Sequence, residues 1–312
     1  MARALGAAAL GITTGAVVAC KGLASWAALR FLGGVASGLV FVLVSASVLE
    51  ALPMGFEAYA GILYSGVGSG IALSGTVAAL LPATPWQTPW LLLAGVSAVL
   101  AAPSWLQRPD PVVSRPPVAP VAADGLTLHR LAIAYFMEGL GYIVSGTFAV
   151  TAVQHTPRLA AWGPWVWVAT GEAAAPSALI WNHLARRLSA RRALLAAYAV
   201  QATGMALPAL FGSPSAALAG ALLFGGTFMG IVTVLLDLAR RLAPSSASRT
   251  IGTFTVVFGV GQALGPILAG WLTRAVGDPA PAALAAAGAV GFGALLLATP
   301  RPDAALHASS RA

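Results

Sequence analysis

The chain has 312 residues, of which 58% are hydrophobic and only 8% are charged. A soluble globular chain carries about 25% charged residues, so 17 basic and 9 acidic side chains are too few to give this length a polar surface. Lipid is the implied solvent, and the net charge of +8 does not mark a nucleic-acid binder, because the bases fall in short loops between apolar runs, as membrane topology requires.

A helix that crosses the hydrocarbon core needs about 20 mostly apolar residues. Ten stretches qualify: 3–20, 28–49, 59–81, 87–105, 128–152, 161–182, 192–211, 215–239, 250–273 and 280–298. The alternation of a β-barrel is absent, so the expected fold is an all-α polytopic membrane protein of about ten transmembrane helices. The first stretch has Arg3 ahead of an apolar core and ends in Val17-Val18-Ala19-Cys20, the form of a bacterial lipoprotein signal. Nine further spans follow it, and retaining it improves the charge asymmetry, so it is taken as a span. Cys20 is the one cysteine, which leaves no intrachain disulfide and no cysteine metal cluster.

Arg30 opens the second span, and Gly34, Ser37, Phe41 and Ser45 continue its stripe. It is a candidate to hold an anionic group or to partner an acid, against interfacial snorkelling. After the fourth span, residues 106–127 contain Pro109, Pro111, Pro116, Pro117 and Pro120 and cannot form a helix interior. This segment reads as a linker between a four-helix bundle, 1–105, and a six-helix half, 128–312.

The fifth span carries Glu138 at its middle, with Tyr135, Tyr142 and Ser145 at helical spacing on the same face. An unpaired charge at that depth costs several kcal/mol, so the face is expected to line a cavity, where a carboxyl that prefers its neutral form can carry a proton. The alternative is a neutral Glu138 hydrogen-bonded to a neighbouring helix. Glu172, in the sixth span, has apolar helical neighbours and is expected to be a packed hydrogen-bonding group or a kink partner near Pro176, with a pathway role as the alternative. Gln262, amid Gly259, Gly261 and Gly265, either contacts solute or bridges helices. Asp237 precedes Arg240 and Arg241 by three and four residues, a local ion pair. His129, His155, His183 and His307 have no metal-ligand spacing, and no nucleophile elbow, HExxH or Walker loop is present. The expectation is therefore no enzyme, no cofactor and no bound metal.

Orientation follows from the bases. With the N-terminus inside, Arg3, Arg108, Arg115, Arg130, Arg186, Arg187, Arg191, Arg192, Arg240, Arg241, Arg249, Arg301 and Arg311 are cytoplasmic, and only Lys21, Arg30, Arg158 and Arg274 lie outside. Both termini and the linker are expected in the cytoplasm. The chain also repeats itself. Gly33-Gly34-Val35-Ala36-Ser37-Gly38 and Gly225-Gly226-Thr227-Phe228-Met229-Gly230 share GGxxxG, and Gly66-Val67-Gly68 is followed at nearly the same offset by Gly259-Val260-Gly261. Two matches in order point to two related halves, the plan of major facilitator transporters. Each glycine by itself reads as a close-packing position.

Four strings sharpen that reading. "RFLGGVASG" from Arg30 to Gly38 resembles the fourth helix of the major facilitator superfamily. "YSGVGSGIALSG" from Tyr64 to Gly75 resembles its fifth. "YFMEGLGYIVSGTF" from Tyr135 to Phe148 resembles the distinctive seventh helix of the YbfB/YjiJ-like branch, and "FGVGQALGP" from Phe258 to Pro266 resembles its eleventh. The resemblance covers nearly the whole chain but begins at the family's third helix. The second copy of the family's signature loop falls at Asn182–Arg192, with Arg186 where the family usually has Asp and with Asn182 and Ser189 where it usually has glycines. The resemblance implies a secondary active transporter in the cytoplasmic membrane of a bacterium, moving a small organic solute by proton-coupled efflux. The alternative is a shortened, non-transporting membrane protein that needs further helices or a partner chain. An apolar groove beside 28–49 and 59–81 is the structural expectation of that alternative.

Overall fold

In the computed structural model, residues 2–51, 60–82, 84–106, 127–154 and 162–298 are described. They form ten α-helices and, among the described residues, no strand. The helices are α1 Ala2–Ala16, α2 Leu23–Ala51, α3 Ala60–Leu80, α4 Gln87–Ala101, α5 Leu128–Gln154, α6 Gly163–Leu188, α7 Ala190–Phe211, α8 Pro214–Leu242, α9 Ala247–Val276 and α10 Ala280–Ala298. Each coincides with one of the ten predicted stretches.

Seven of these helices are long and apolar enough to cross a membrane, and α1 with the 3-10 turn that follows it gives a shorter apolar helix, Leu5–Ala19. The remaining two, α5 and α6, have 27 and 26 residues. Their hydropathy is lowered by Arg130 and Glu138 in one, and by Glu172, Asn182, Arg186 and Arg187 in the other. Large apolar side chains such as Leu39, Val42, Ile180, Ile267 and Trp271 are exposed, which in a polytopic chain is the face turned to lipid.

Two compact units divide the chain: Met1–Leu63 with Thr76–Arg115, and Tyr64–Gly75 with Pro116–Ala312. The middle of α3 thus belongs with α5–α10. Most of the predicted linker, residues 107–126, lies outside the described residues.

In the first unit α1 packs against both α2 and α4. Small residues make this possible: a Cβ on Gly6 would lie 2.8 Å from Val40, and one on Gly15 would lie 3.4 Å from Ala94. α2 starts at Leu23, five residues before the predicted 28, so Arg30 sits two turns inside the helix instead of opening it.

In the second unit the helices meet at glycines. Gly261 and Gly265 of α9 lie against the backbone of α5 at Phe136 and Leu140. Gly204 of α7 faces Gly220 of α8, and Gly225 of α8 abuts the carbonyl of Thr170 on α6. Gly68 of α3 meets the backbone of α6 at Ala174–Ala175. The helix ends are set by local chemistry. Gly212, at φ 56°, ends α7, and Ser213 then caps α8 by accepting the Ala216 amide at 3.2 Å, with Pro214 at the first helical position. α6 and α7 are joined by Ser189 alone, at φ 124°, whose hydroxyl accepts from the Arg192 amide at 3.3 Å. That backbone conformation favours glycine, which accounts physically for the glycine this position usually holds in the resemblance described above. The end of α10 is closed by Arg191 of α7, whose guanidinium donates to the carbonyls of Leu297 (2.9 Å) and Ala298 (2.6 Å).

Candidate functional site

Glu138 lies at the middle of α5 and is completely buried. Its Oε1 accepts from Nε2 of Gln201 on α7 at 2.5 Å. The Gln201 carbonyl oxygen in turn accepts from the hydroxyl of Thr227 on α8 at 3.1 Å. Gln201 and Thr227 are as enclosed as Glu138. A polar chain of three side chains therefore crosses from α5 through α7 to α8 inside an apolar core. It is incomplete: Oε2 of Glu138 is buried with no hydrogen-bond partner, and among the described residues no cation pairs with the carboxyl. A buried polar atom without a partner costs about 1–3 kcal/mol and calls for an explanation in function or in an alternative state.

Aromatic rings surround this chain. Tyr135 stacks on Phe258 of α9 with centroids 4.6 Å apart. Tyr142 stands 5.0 Å from Phe228 and 5.6 Å from Phe224, both of α8. Tyr198 of α7 is fully buried and donates its hydroxyl to the carbonyl of Ala134 at 3.0 Å.

A cavity of about 290 Å³ lies within the same unit. Its wall includes Ser145 of α5, Trp167 and Thr170 of α6, Met205 and Pro208 of α7, and Phe224 of α8. It reaches the helix ends at Gly212 and Asp278. The predicted stripe divides here. Ser145 lines this cavity, whereas Tyr135, Glu138 and Tyr142 do not. Glu138 takes the arrangement weighed as its alternative, a hydrogen bond to a neighbouring helix, because Gln201 presents an amide at its level. The cavity and the polar chain are nonetheless neighbours along two helices: Met205 is one turn from Gln201 on α7, and Phe224 one turn from Thr227 on α8.

The other predicted residues are dispersed. Arg30 is exposed, with its guanidinium 5.1 Å from the centroid of Trp90 of α4 in the first unit, a cation–π contact in which no acid takes part. Glu172 is exposed on α6, so the packed arrangement expected of it does not occur. Its neighbour Gly171 takes the α3 contact, and that turns Glu172 away from the interface. Gln262 is half-buried on α9, where Gly261 and Gly265 make the α5 contact. Asp237 holds both Arg240, at 2.5 Å, and Arg241, at 2.7 Å, as the spacing predicts. Gln201 and Thr227 were not singled out from the sequence. The available signal was an uncharged amide inside the apolar run "AAYAVQATG" of α7.

The helical architecture and its paired glycine crossings are those of a polytopic membrane protein, and comparison with known proteins makes this specific. The family described as "Uncharacterised MFS-type transporter YbfB" matches residues 1–298. The chain belongs to this family of major facilitator superfamily transporters. Among solved structures it is similar to the E. coli fucose:proton symporter FucP, with TM-score 0.58 and 13% identity over 95% of this chain and 81% of that one. FucP in the outward conformation gives TM-score 0.61 at 13% identity, again covering 95% and 81%. The human organic anion transporter MFSD10 gives TM-score 0.61 at 15% identity, covering 95% of this chain and 76% of that one. At these identities the structural likeness shows the fold alone. No curated protein matches the chain in sequence.

Proposed function

We propose that this membrane transporter is a secondary active carrier that exports a small organic solute in exchange for protons, with Glu138 as the proton-carrying group. It would sit in the bacterial cytoplasmic membrane with both termini inside, the orientation that the distribution of its bases favours. The observation that carries the reading is the Glu138 carboxyl itself: wholly buried, held on one oxygen by Gln201 and unpartnered on the other. Burying a charge without a counter-ion is costly, so the neutral acid fits this enclosed state and the carboxylate needs one in which water or a cation reaches Oε2. A group whose protonation depends on which state the protein occupies is what coupling requires. FucP, a fold neighbour, is described as a proton symporter.

The test is proton movement on solute addition. Liposomes loaded with a pH-sensitive dye and carrying the purified chain are exposed to a panel of small organic solutes. A solute that shifts the internal pH with the wild type and not with Glu138→Gln supports the reading. Solute flux with an unchanged proton response in Glu138→Gln overturns it.

A second reading, that the chain works only with further helices or a partner chain, is favoured by the first unit. α4 buries none of its residues, and Gly34 and Gly38 of α2 have no neighbouring atom where their Cβ would stand. Transport that appears only on co-expression with a second membrane chain would establish it, and transport by the purified chain alone would end it.

A further inference from the structure

The cavity in the second unit has a chemistry that specifies its occupant. Protein interiors contain few voids larger than a water molecule, and an apolar cavity of about 150 Å³ already takes up benzene. At about 290 Å³, this one has room for a two-ring skeleton. Its wall is built from Val166, Met205, Pro208, Ala217, Ala221 and Phe224. Methionine and aromatic side chains adapt to varied apolar shapes.

Of the polar side chains on the wall, Thr170 and Asp278 present acceptors and Ser145 adds a hydroxyl. The indole N–H of Trp167 is occupied by Ser74 Oγ at 3.2 Å. Thr170 donates its proton to the Val166 carbonyl at 2.9 Å, which leaves its oxygen lone pairs to offer. Among the described residues, the one charged side chain on the wall is Asp278, at the α9–α10 turn. Its Oδ1 accepts the Ala280 amide at 2.8 Å, with acceptor capacity remaining on the carboxylate. Among the described residues, no lysine, arginine or histidine lines the cavity. An anion placed there would face the Asp278 carboxylate, exposed at its turn, with no cation among the described lining residues to offset it.

We infer that the cavity bounded by α5–α8 and the α9–α10 turn is a binding site for a small, largely apolar molecule that is neutral or carries one positive charge, and that it rejects anions. The site is defined by its own lining and does not depend on the proton-carrying role of Glu138. If the chain is a solute carrier, the inference gives the class of solute that this cavity accepts.

Three probes of one shape separate the charges: 1-naphthylmethylamine, 1-naphthylmethanol and 1-naphthoate. Binding to the full chain in lipid nanodiscs is measured by equilibrium dialysis against matched empty nanodiscs, which removes lipid partitioning. No pH gradient is involved, so failure here is distinct from failure of proton coupling. The amine and the alcohol are expected to bind at least about tenfold more tightly than the carboxylate. Ala283→Phe, which fills the cavity from α10, should weaken both by about tenfold or more. Asp278→Asn keeps an acceptor for the Ala280 amide and removes the charge. It should bring the amine to the affinity of the alcohol and leave the alcohol unchanged, a readout that stands even if Ala283→Phe fails to fold. Equal binding of naphthoate and the amine, an amine preference that survives Asp278→Asn, undiminished binding to folded Ala283→Phe, or no binding by any probe would each overturn the inference.

Discussion

The polar chain Glu138–Gln201–Thr227 predicts that two near-isosteric substitutions have unequal consequences. In Glu138→Gln the new amide oxygen can still accept from Gln201, as Oε1 does now at 2.5 Å. Its NH₂ group replaces an oxygen that has no partner. One unsatisfied atom is exchanged for another, so stability should change by less than about 1 kcal/mol. In Gln201→Leu the volume is roughly kept but Glu138 loses its donor, and Thr227 falls back on the carbonyls of Leu223 (2.8 Å) and Phe224 (3.0 Å). Both carboxyl oxygens are then buried and unpartnered, at a cost of about 1–3 kcal/mol. Adding Glu138→Met to Gln201→Leu removes the stranded carboxyl, so the double variant should recover most of that loss. Unfolding of the wild type, Glu138→Met, Gln201→Leu and the double variant in mixed micelles gives the four free energies of the cycle, and the coupling between Glu138 and Gln201 should reach about 1 kcal/mol or more. If Gln201→Leu is as stable as the wild type, or if Glu138→Met worsens it additively, the two side chains are not a unit and the proton-carrying role of Glu138 loses its structural basis.

Three further outcomes follow from packing and caps. Gly230→Ala places a methyl inside the indole of Trp181, which is itself held by the Gly226 carbonyl at 2.7 Å; overpacking there should cost about 1–3 kcal/mol. Gly226→Ala meets nothing and should be neutral or stabilise by up to about 1 kcal/mol, with both read by the same unfolding assay. Ser189→Ala loses the cap to Arg192 and keeps a Cβ at φ 124°, whereas Ser189→Gly loses the cap and relieves the backbone, so melting should rank glycine above alanine. Arg191→Ala frees the end of α10 and should cost about 1–3 kcal/mol. Arg192→Ala, at an exposed side chain, should stay within about 0.5 kcal/mol in thermal melts.

Helix positions were legible because the hydrocarbon core imposes one length and one polarity on every span. α10 matches its predicted limits at both ends, and α3 differs by a single residue at each. α6 runs six residues past its predicted end because Arg186 and Arg187 lower hydropathy without breaking a helix, and only the Ser189 backbone does that. The site was less legible. Depth singled out Glu138, since a carboxyl is rare at that level, and the polar stripe of Tyr135, Tyr142 and Ser145 on its face supported it. Its partner is uncharged, and an amide within an apolar run does not announce which helix it faces. Facing is decided by the glycines, because Gly139, Gly261 and Gly265 set α5 against α9. That crossing leaves another face of α5 to α10, and at the level of Glu138 to Gln201 of α7. The stripe from Tyr135 to Ser145 was correctly one face of a helix, but its neighbours differ from turn to turn, so only its last member meets the cavity.

The repeated glycines show the same limit from the other direction. In the second copy, Gly225 admits the Thr170 carbonyl and Gly230 admits the Trp181 ring. The two ends of one α8 rung are bound from α6: the Gly226 carbonyl accepts from Trp181, and the Gly230 amide donates to Ser177 Oγ at 3.1 Å. In the first copy Gly33 meets the Thr13 side chain at 3.1 Å, and Gly34 and Gly38 meet nothing. One pattern therefore occupies two environments. What GGxxxG encodes is a helix face flat enough to be approached, and the approach itself depends on the partner. On α8 that partner brings a large ring for the absent side chains and two polar groups for the backbone. Any helix that closes on the matching face of α2 would meet the same bare backbone and would need to supply comparable groups.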